Sequence, residues 1–141
     1  MQILVFILIT SSLTFSTLSV VGQQRKLTLE EYSSSGVNKL TFYSAECAKA
    51  SSLAEIDIVK QMPFLVLKSG LAPQAFASDT TFENTYGVFY KETGCVGPVQ
   101  ECVVLYNQRI FEYLMDTYGN RWMRTVRKDV VGFREWKKKR K

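Results

Sequence analysis

Residues 98–118, PVQECVVLYNQRIFEYLMDTY, form the longest periodic stretch of this 141-residue chain. Apolar side chains recur in it at intervals of three and four residues, the spacing that places them on one face of an α-helix. The members of this stripe are Val99, Cys102, Val103, Tyr106, Ile110, Tyr113 and Leu114. Pro98 fits the first helical position, and Gly119-Asn120 would break the helix. The stretch therefore predicts one long helix that ends at about Tyr118.

Two short apolar runs precede this helix. Phe64–Leu67 and Val88–Tyr90 read as buried strands, and a short helix between them can be capped by Asp79 or Thr80 and ended by Gly87. This connection is long enough for a parallel βαβ unit. We therefore predict a small, helix-dominated α+β single domain with two short central strands and a long C-terminal helix pair. An almost all-α fold, with the two runs as core loops, is the alternative.

Further helices are predicted on both sides of this unit. Thr28 and Glu31 form a capping-box pattern that opens a short helix, and the residues from Lys39 to about Leu53 show helical spacing. Asn120 can cap a final helix in which Trp122, Met123, Val126 and Val130 share one face. Gly132 interrupts this helix, and a charged tail follows.

The N-terminus predicts export. Residues 3–21 carry no charge, the apolar part is short for a membrane span, and Val20-Val21-Gly22 places small residues before Gln23. Cleavage after Ser19 and an uncleaved N-terminal anchor are the alternatives. The predicted organisation is a signal peptide at 1–22, one globular domain at 23–132 and a basic tail at 133–141, with no transmembrane segment after cleavage.

The positive charge is concentrated at the C-terminal end. Residues 121–141 hold ten Lys/Arg and two acids, whereas residues 23–120 hold eight Lys/Arg and eleven acids. We expect a surface for anionic partners here, or else a solvated, disordered tail. The residues predicted to bind an anionic surface are Arg121, Arg124, Arg127, Lys128, Lys137, Lys138, Lys139, Arg140 and Lys141.

Three cysteines and the absence of histidine limit the chemistry. No His-based triad, zinc site or proton shuttle is available, and we predict no metal or cofactor. Cys95 precedes a predicted helix, where a thiolate is stabilised, and is the candidate for thiol or redox activity. In an oxidising compartment we favour a Cys95–Cys102 disulfide over a reactive Cys95 thiol. Cys47 is expected in the core or, unpaired, in a disulfide-linked dimer.

A pair of acidic residues is a weaker candidate for a catalytic site. Glu55, Asp57, Asp79 and Glu83 could supply a carboxylate pair for general acid–base chemistry, although solvated surface acids are the plainer interpretation.

The segment Phe82–Val88, with Tyr90 and Gly94-Cys95 after it, resembles the FEKKY-domain family of small exported proteins from Gram-negative bacteria. Asn84-Thr85 stand where that family has two lysines. The resemblance extends over roughly residues 45–138, so that 23–132 would be a FEKKY-like domain. It implies a periplasmic or secreted protein and carries no established activity.

Taken together, these patterns favour an exported, non-enzymatic module. Its expected partner is an unknown protein or an anionic envelope component, with peripheral membrane contact as one form of this binding and no specific nucleic acid. Cysteine-dependent activity at Cys95 is the alternative.

Overall fold

A computed structural model describes residues 25–42, 47–68, 70, 72, 74–94 and 97–140. The predicted signal peptide at 1–22 lies outside these residues. In the described part, the elements are α1 (Leu29–Ser33), α2 (Gly36–Lys39), α3 (Ala50–Val59), β1 (Phe64–Val66), α4 (Ala77–Tyr86), β2 (Phe89–Lys91), α5 (Gln100–Tyr118) and α6 (Phe133–Lys139). Short 3₁₀ turns lie at Cys47–Lys49 and Arg121–Arg124. The predicted α+β class is confirmed.

Of the two predictions for the N-terminal helices, one is confirmed and one is wrong. The capping box at Thr28 and Glu31 is confirmed, since each side chain accepts a hydrogen bond from the other's backbone N–H. The predicted helix from Lys39 to Leu53 is wrong, because α2 ends at Lys39 and α3 begins only at Ala50. Leu40, at the end of α2, and Ala50, at the start of α3, are both buried, so their helical spacing does not mark one continuous helix.

The βαβ unit is confirmed. β1 and β2 are parallel, with Phe64 opposite Phe89 and Val66 opposite Lys91, and α4 crosses between them. Gly87 ends α4 at φ 63°, a left-handed conformation that glycine adopts without the strain of a Cβ. This arrangement brings the residues that follow both strands to one edge of the sheet.

α5 is the central helix, and it packs against α3 and β1. Its buried face differs in part from the predicted stripe. Asn107 and Phe111 are fully buried, whereas Val99 is 45% exposed and Tyr113 is half-buried. Because α5 contacts several elements at once, its buried face is wider than a single apolar stripe and includes a polar residue.

The segment after α5 is only partly helical. The predicted helix from Asn120 to Val130 is wrong, because only Arg121–Arg124 form a 3₁₀ turn. Val130 instead makes an antiparallel bridge with Leu67, and Val131 N–H donates to the Val66 carbonyl at 3.1 Å. The β-branched pair Val130-Val131 suits this extended conformation.

The predicted tail boundary at residue 133 is also wrong. Residues 133–139 form α6, and Phe133 and Trp136 of this helix are buried. The folded domain therefore includes the helix that the sequence assigned to a tail, since two aromatic residues among the charges supply its contact with the core.

Candidate functional site: the basic C-terminal surface and the edge at Lys68

Seven of the nine residues predicted to bind anions are exposed. They are Arg121, Arg124, Lys128, Lys137, Lys138, Lys139 and Arg140. Arg134, which is also exposed, joins them, and these eight residues are called the basic C-terminal surface below. In the described part of the chain, no ion pair joins any of them to a carboxylate. Lys141 lies outside the described residues.

An aromatic cluster holds this surface in place. Trp136 of α6 lies 5.1 Å from Phe111 and 5.8 Å from Trp122 between ring centroids, and Phe133 lies 5.4 Å from Trp122. Because Trp122 belongs to the 3₁₀ turn, the turn and α6 are neighbours, and their basic residues share an anchor. The Arg140 guanidinium also lies 4.9 Å from the centroid of the Trp136 ring. The Arg140 side chain thereby covers the aromatic cluster.

Arg127, which is also among the residues predicted to bind anions, is not part of this surface, because its charge is already paired inside the fold. Its side chain is only 8% exposed and makes ion pairs with Asp79 at 2.9 Å and Asp129 at 2.6 Å. It also lies over the rings of Phe76 and Tyr90. The hydrogen bond to Asp129 raises the pKa of Arg127 above its ordinary value and lowers that of Asp129. Arg127 thus joins α4, β2 and the C-terminal segment.

Asp57 is a buried carboxylate with three donors. Its oxygens accept hydrogen bonds from Gly36 N–H at 2.6 Å, Val37 N–H at 2.8 Å and the Tyr106 hydroxyl at 2.6 Å. Burial raises the pKa of Asp57, and these hydrogen bonds oppose the rise. A side chain at Gly36 would collide with the Leu53 carbonyl. This close approach allows Asp57 to cap α2 from α3.

The other predicted acids also hold elements together. Asp79 binds Arg127, Glu55 binds Arg109 at 2.7 Å, and Glu83 accepts from Tyr90 N–H at 2.8 Å. These contacts give no support to a general acid–base pair among the candidate acids.

The disulfide joins Cys47 to Cys102. The predicted Cys95–Cys102 pairing is therefore wrong, and so is the dimer bridge through an unpaired Cys47, whereas Cys47 does pack, half-buried, against the core. Cys47 precedes α3 and Cys102 lies in the first turn of α5, so the close packing of these two helices places the cysteines 4.5 Å apart between Cα atoms. Cys95 lies outside the described residues, and its thiol activity stays a prediction.

Clefts open where β1 and β2 end. One, of about 470 Å³, lies between the ends of the strands and the start of α5, where Thr93 and Gln100 line it. A second, of about 330 Å³, lies beside Arg127, and a third, of about 190 Å³, lies beside Lys128 and Arg134. Lys68, which follows Leu67 and is exposed, lines all three.

Sequence reasoning missed Lys68, although a signal for it exists. Lys68 is the first charged residue after the buried run Phe64–Leu67. In parallel sheets, ligands bind beyond the carboxyl ends of the strands, so a cation at this position is a candidate contact.

Two properties of the described residues limit the possible sites further. Among residues 25–140, as far as they are described, no cluster of three or more Cys, Asp or Glu could hold a metal ion. In the same part of the chain, no helix has the length and apolar character needed to cross a membrane.

Comparison of the chain with protein families, curated proteins and solved structures found no match. The resemblance to the FEKKY-domain family therefore stays a prediction.

Proposed function

We propose that this protein is an exported, non-enzymatic module that binds an anionic envelope surface through its basic C-terminal surface. The observation that carries the proposal is the arrangement of α6, which buries Phe133 and Trp136 while its Arg and Lys side chains face solvent. A helix held in this way presents its charges from a fixed platform. Binding then immobilises fewer groups than it would for a disordered tail.

The electrostatics of the segment support the same function. A negative lipid surface attracts each nearby Lys or Arg by about 1 kcal/mol, so a set of unpaired cations gives substantial affinity at low salt. Exposed ion pairs would offset this attraction, and the described residues show none for the basic C-terminal surface. A protein partner has no separate observation in its favour, so we argue the anionic surface.

The export part of the proposal has two supports. The uncharged N-terminal segment ends in small residues before Gln23, as signal peptides do. The Cys47–Cys102 bridge agrees with an oxidising compartment, where disulfides persist. The resemblance to exported FEKKY-domain proteins points to the same setting.

The test is sedimentation of the chain from Gln23 onward with vesicles, since every described residue lies within it. Vesicles of phosphatidylglycerol mixed with phosphatidylcholine are compared with phosphatidylcholine alone across a salt series. We expect binding only to the anionic vesicles, with an affinity that falls as salt rises. Binding that ignores salt or lipid charge would overturn the proposal.

A matched pair of variants locates the contact. Lys138→Gln with Lys139→Gln removes two charges from α6, and we expect about a 30-fold loss of vesicle affinity. The control, Lys26→Gln with Lys39→Gln, removes two exposed charges elsewhere and should bind nearly as the parent does. Substitution is preferable to truncation at Gly132, because truncation would also remove the buried Phe133 and Trp136. An equal loss of vesicle affinity in the two double variants would show that the membrane contact does not lie on the basic C-terminal surface.

A further inference from the structure

The smallest of the three clefts is lined by cations from separate parts of the fold. It holds about 190 Å³, and Lys68, Lys128 and Arg134 line it. From these residues we infer that the cleft is a binding pocket for a phosphate group, named the Lys68 pocket below. The inference deepens the proposed function, on which it rests, because it names the chemical group that the basic C-terminal surface would receive.

The backbone fixes where these cations meet. Lys68 N–H donates to the Asp129 carbonyl at 2.9 Å, and Leu67 and Val130 form a bridge immediately beside it. Lys68 is thereby held against the segment that carries Lys128, although the two residues are far apart in the sequence. Gly132, at φ 78°, then turns the chain into α6, which brings Arg134 to the same cleft.

The acids that line the pocket neutralise these cations only in part. Both carboxylate oxygens of Asp129 are engaged by Arg127, Oδ1 at 3.0 Å from Nε and Oδ2 at 2.6 Å from Nη2. The remaining acid, Glu135, is exposed and opposes Lys68, Lys128 and Arg134 with a single charge. The lining thus holds three cations against two acids, one of which is bound by Arg127, and the net positive charge that remains favours the negatively charged phosphate group.

The size of the pocket also suits a small ligand. Its volume of about 190 Å³ lies below the roughly 300–1,000 Å³ that accommodates larger organic ligands. A tetrahedral oxyanion fits that space, with the guanidinium of Arg134 able to donate two hydrogen bonds and the lysines acting as point charges.

Two sources could supply this group, a phosphorylated headgroup at the envelope surface or a soluble phosphate ester. The experiment has an arm for each, and Lys68 makes them separable because it lies outside the basic C-terminal surface. The first arm titrates the chain from Gln23 onward with inorganic phosphate, and then with glycerol phosphate, by calorimetry at constant ionic strength. The second arm sediments it with vesicles containing phosphatidic acid, whose headgroup is a phosphate monoester, or phosphatidylglycerol, whose headgroup is a diester.

We expect saturable phosphate binding that Lys68→Gln weakens at least 10-fold and that Lys39→Gln leaves unchanged. Lys128→Gln gives a second, independent loss of similar size. We also expect tighter binding to phosphatidic acid than to phosphatidylglycerol vesicles, a preference that Lys68→Gln removes. Saturable phosphate binding without a preference for phosphatidic acid vesicles would mean that the natural ligand is a soluble phosphate ester. That result would still support the inference.

Absence of saturable phosphate binding, or binding that Lys68→Gln and Lys128→Gln leave unaltered, would overturn the inference. The two proposals fail separately. Retention on phosphatidylglycerol vesicles without any phosphate binding refutes the Lys68 pocket and leaves the proposed function standing. Phosphate binding by a chain that no anionic vesicle retains refutes the proposed function and leaves the pocket.

Discussion

The hydroxyl of Tyr106 donates a 2.6 Å hydrogen bond to the carboxylate of Asp57 inside the domain, where both side chains are fully buried. The same carboxylate receives the N–H groups of Gly36 and Val37 at the start of α2. One buried acid therefore connects α5, α3 and α2, and these donors stabilise its charge.

Replacing Tyr106 by Phe removes one donor and keeps the ring. Hydrogen bonds to charged groups contribute about 1.5–3 kcal/mol, so we expect Tyr106→Phe to lower the free energy of unfolding by about that amount. Urea denaturation measures the change. Tyr113→Phe, which removes a hydroxyl from a half-buried site on the same helix, is the control and should stay within about 0.5 kcal/mol. Equal stability of the two variants would contradict the role of the Asp57 contact.

Asn107 supplies hydrogen bonds along the edge of β1 that faces away from β2. Its amide accepts from Val66 N–H at 3.0 Å and donates to the Val66 and Val131 carbonyls at 2.9 Å each. Asn107→Leu keeps a similar volume but leaves buried backbone groups unpaired, and we expect a loss of at least about 2 kcal/mol in unfolding free energy. Gln108→Leu, a half-buried neighbour, is the control. A loss no larger than that of the control would show that water replaces the amide.

Arg127 is predicted to act in stability and not in surface binding. Removing one partner of a buried ion pair costs about 3–5 kcal/mol, and we expect Arg127→Ala to approach the lower value because Asp129 is partly exposed. Arg124→Ala, at an exposed site, should change stability by less than about 0.5 kcal/mol. Thermal unfolding of both variants distinguishes the two roles. Similar melting temperatures of the two variants would contradict a stabilising role for Arg127.

The contact between Arg127 and Asp129 also predicts a pH dependence. The hydrogen bond from Arg127 lowers the pKa of Asp129 in the folded state, so its contribution is present above the unfolded pKa and is lost as pH falls through the lowered value. We expect Asp129→Asn to be less stable than the parent at neutral pH, with the difference shrinking in acid. Urea denaturation across a pH series measures it.

The control for the pH series is Asp116→Asn, which removes the same charge from an exposed side chain of α5. A difference between parent and Asp129→Asn that stays constant from neutral to acid pH would contradict the assigned cause.

The disulfide leads to two predictions, one for peptide mapping and one for the free energy of unfolding. Peptide mapping without reductant should yield a peptide pair joined through Cys47 and Cys102, whereas a Cys95–Cys102 pair would contradict the structure. The bridge closes a loop with a sequence separation of 55, so replacing both cysteines by serine should lower stability by about 4 kcal/mol on loop-entropy grounds. Urea denaturation of the double variant and of the parent measures that difference.

The sequence predicts the fold where a single pattern has one physical solution. The runs at Phe64–Leu67 and Val88–Tyr90, with a helix between them, permit a parallel βαβ unit, and this is the arrangement the structure has. Trp122, Val126 and Val130 show why other predictions failed. Their spacing matches a helix and all three are buried, yet Val130 pairs with Leu67 in a bridge that no local pattern reveals.

The candidate site could also be predicted from the sequence only in part. Exposure of the C-terminal cations follows from composition, but Arg127 resembles Arg124 in sequence and differs through contacts that include Asp79, which is distant in the chain. The partner of Cys102 depends on the packing of α5 against α3, and three cysteines alone permit three pairings. Lys68 meets Lys128 only after the chain has folded.

The bridge between Cys47 and Cys102 has a consequence for a chain that is cut. Hydrolysis of any peptide bond between the two cysteines leaves both fragments covalently joined, since the disulfide reconnects the ends on either side of the break. Such a nicked molecule would keep α3 attached to α5 and migrate as one species until a reductant separates it. A protease acting there would need a reducing partner to release the basic C-terminal surface from the rest of the protein.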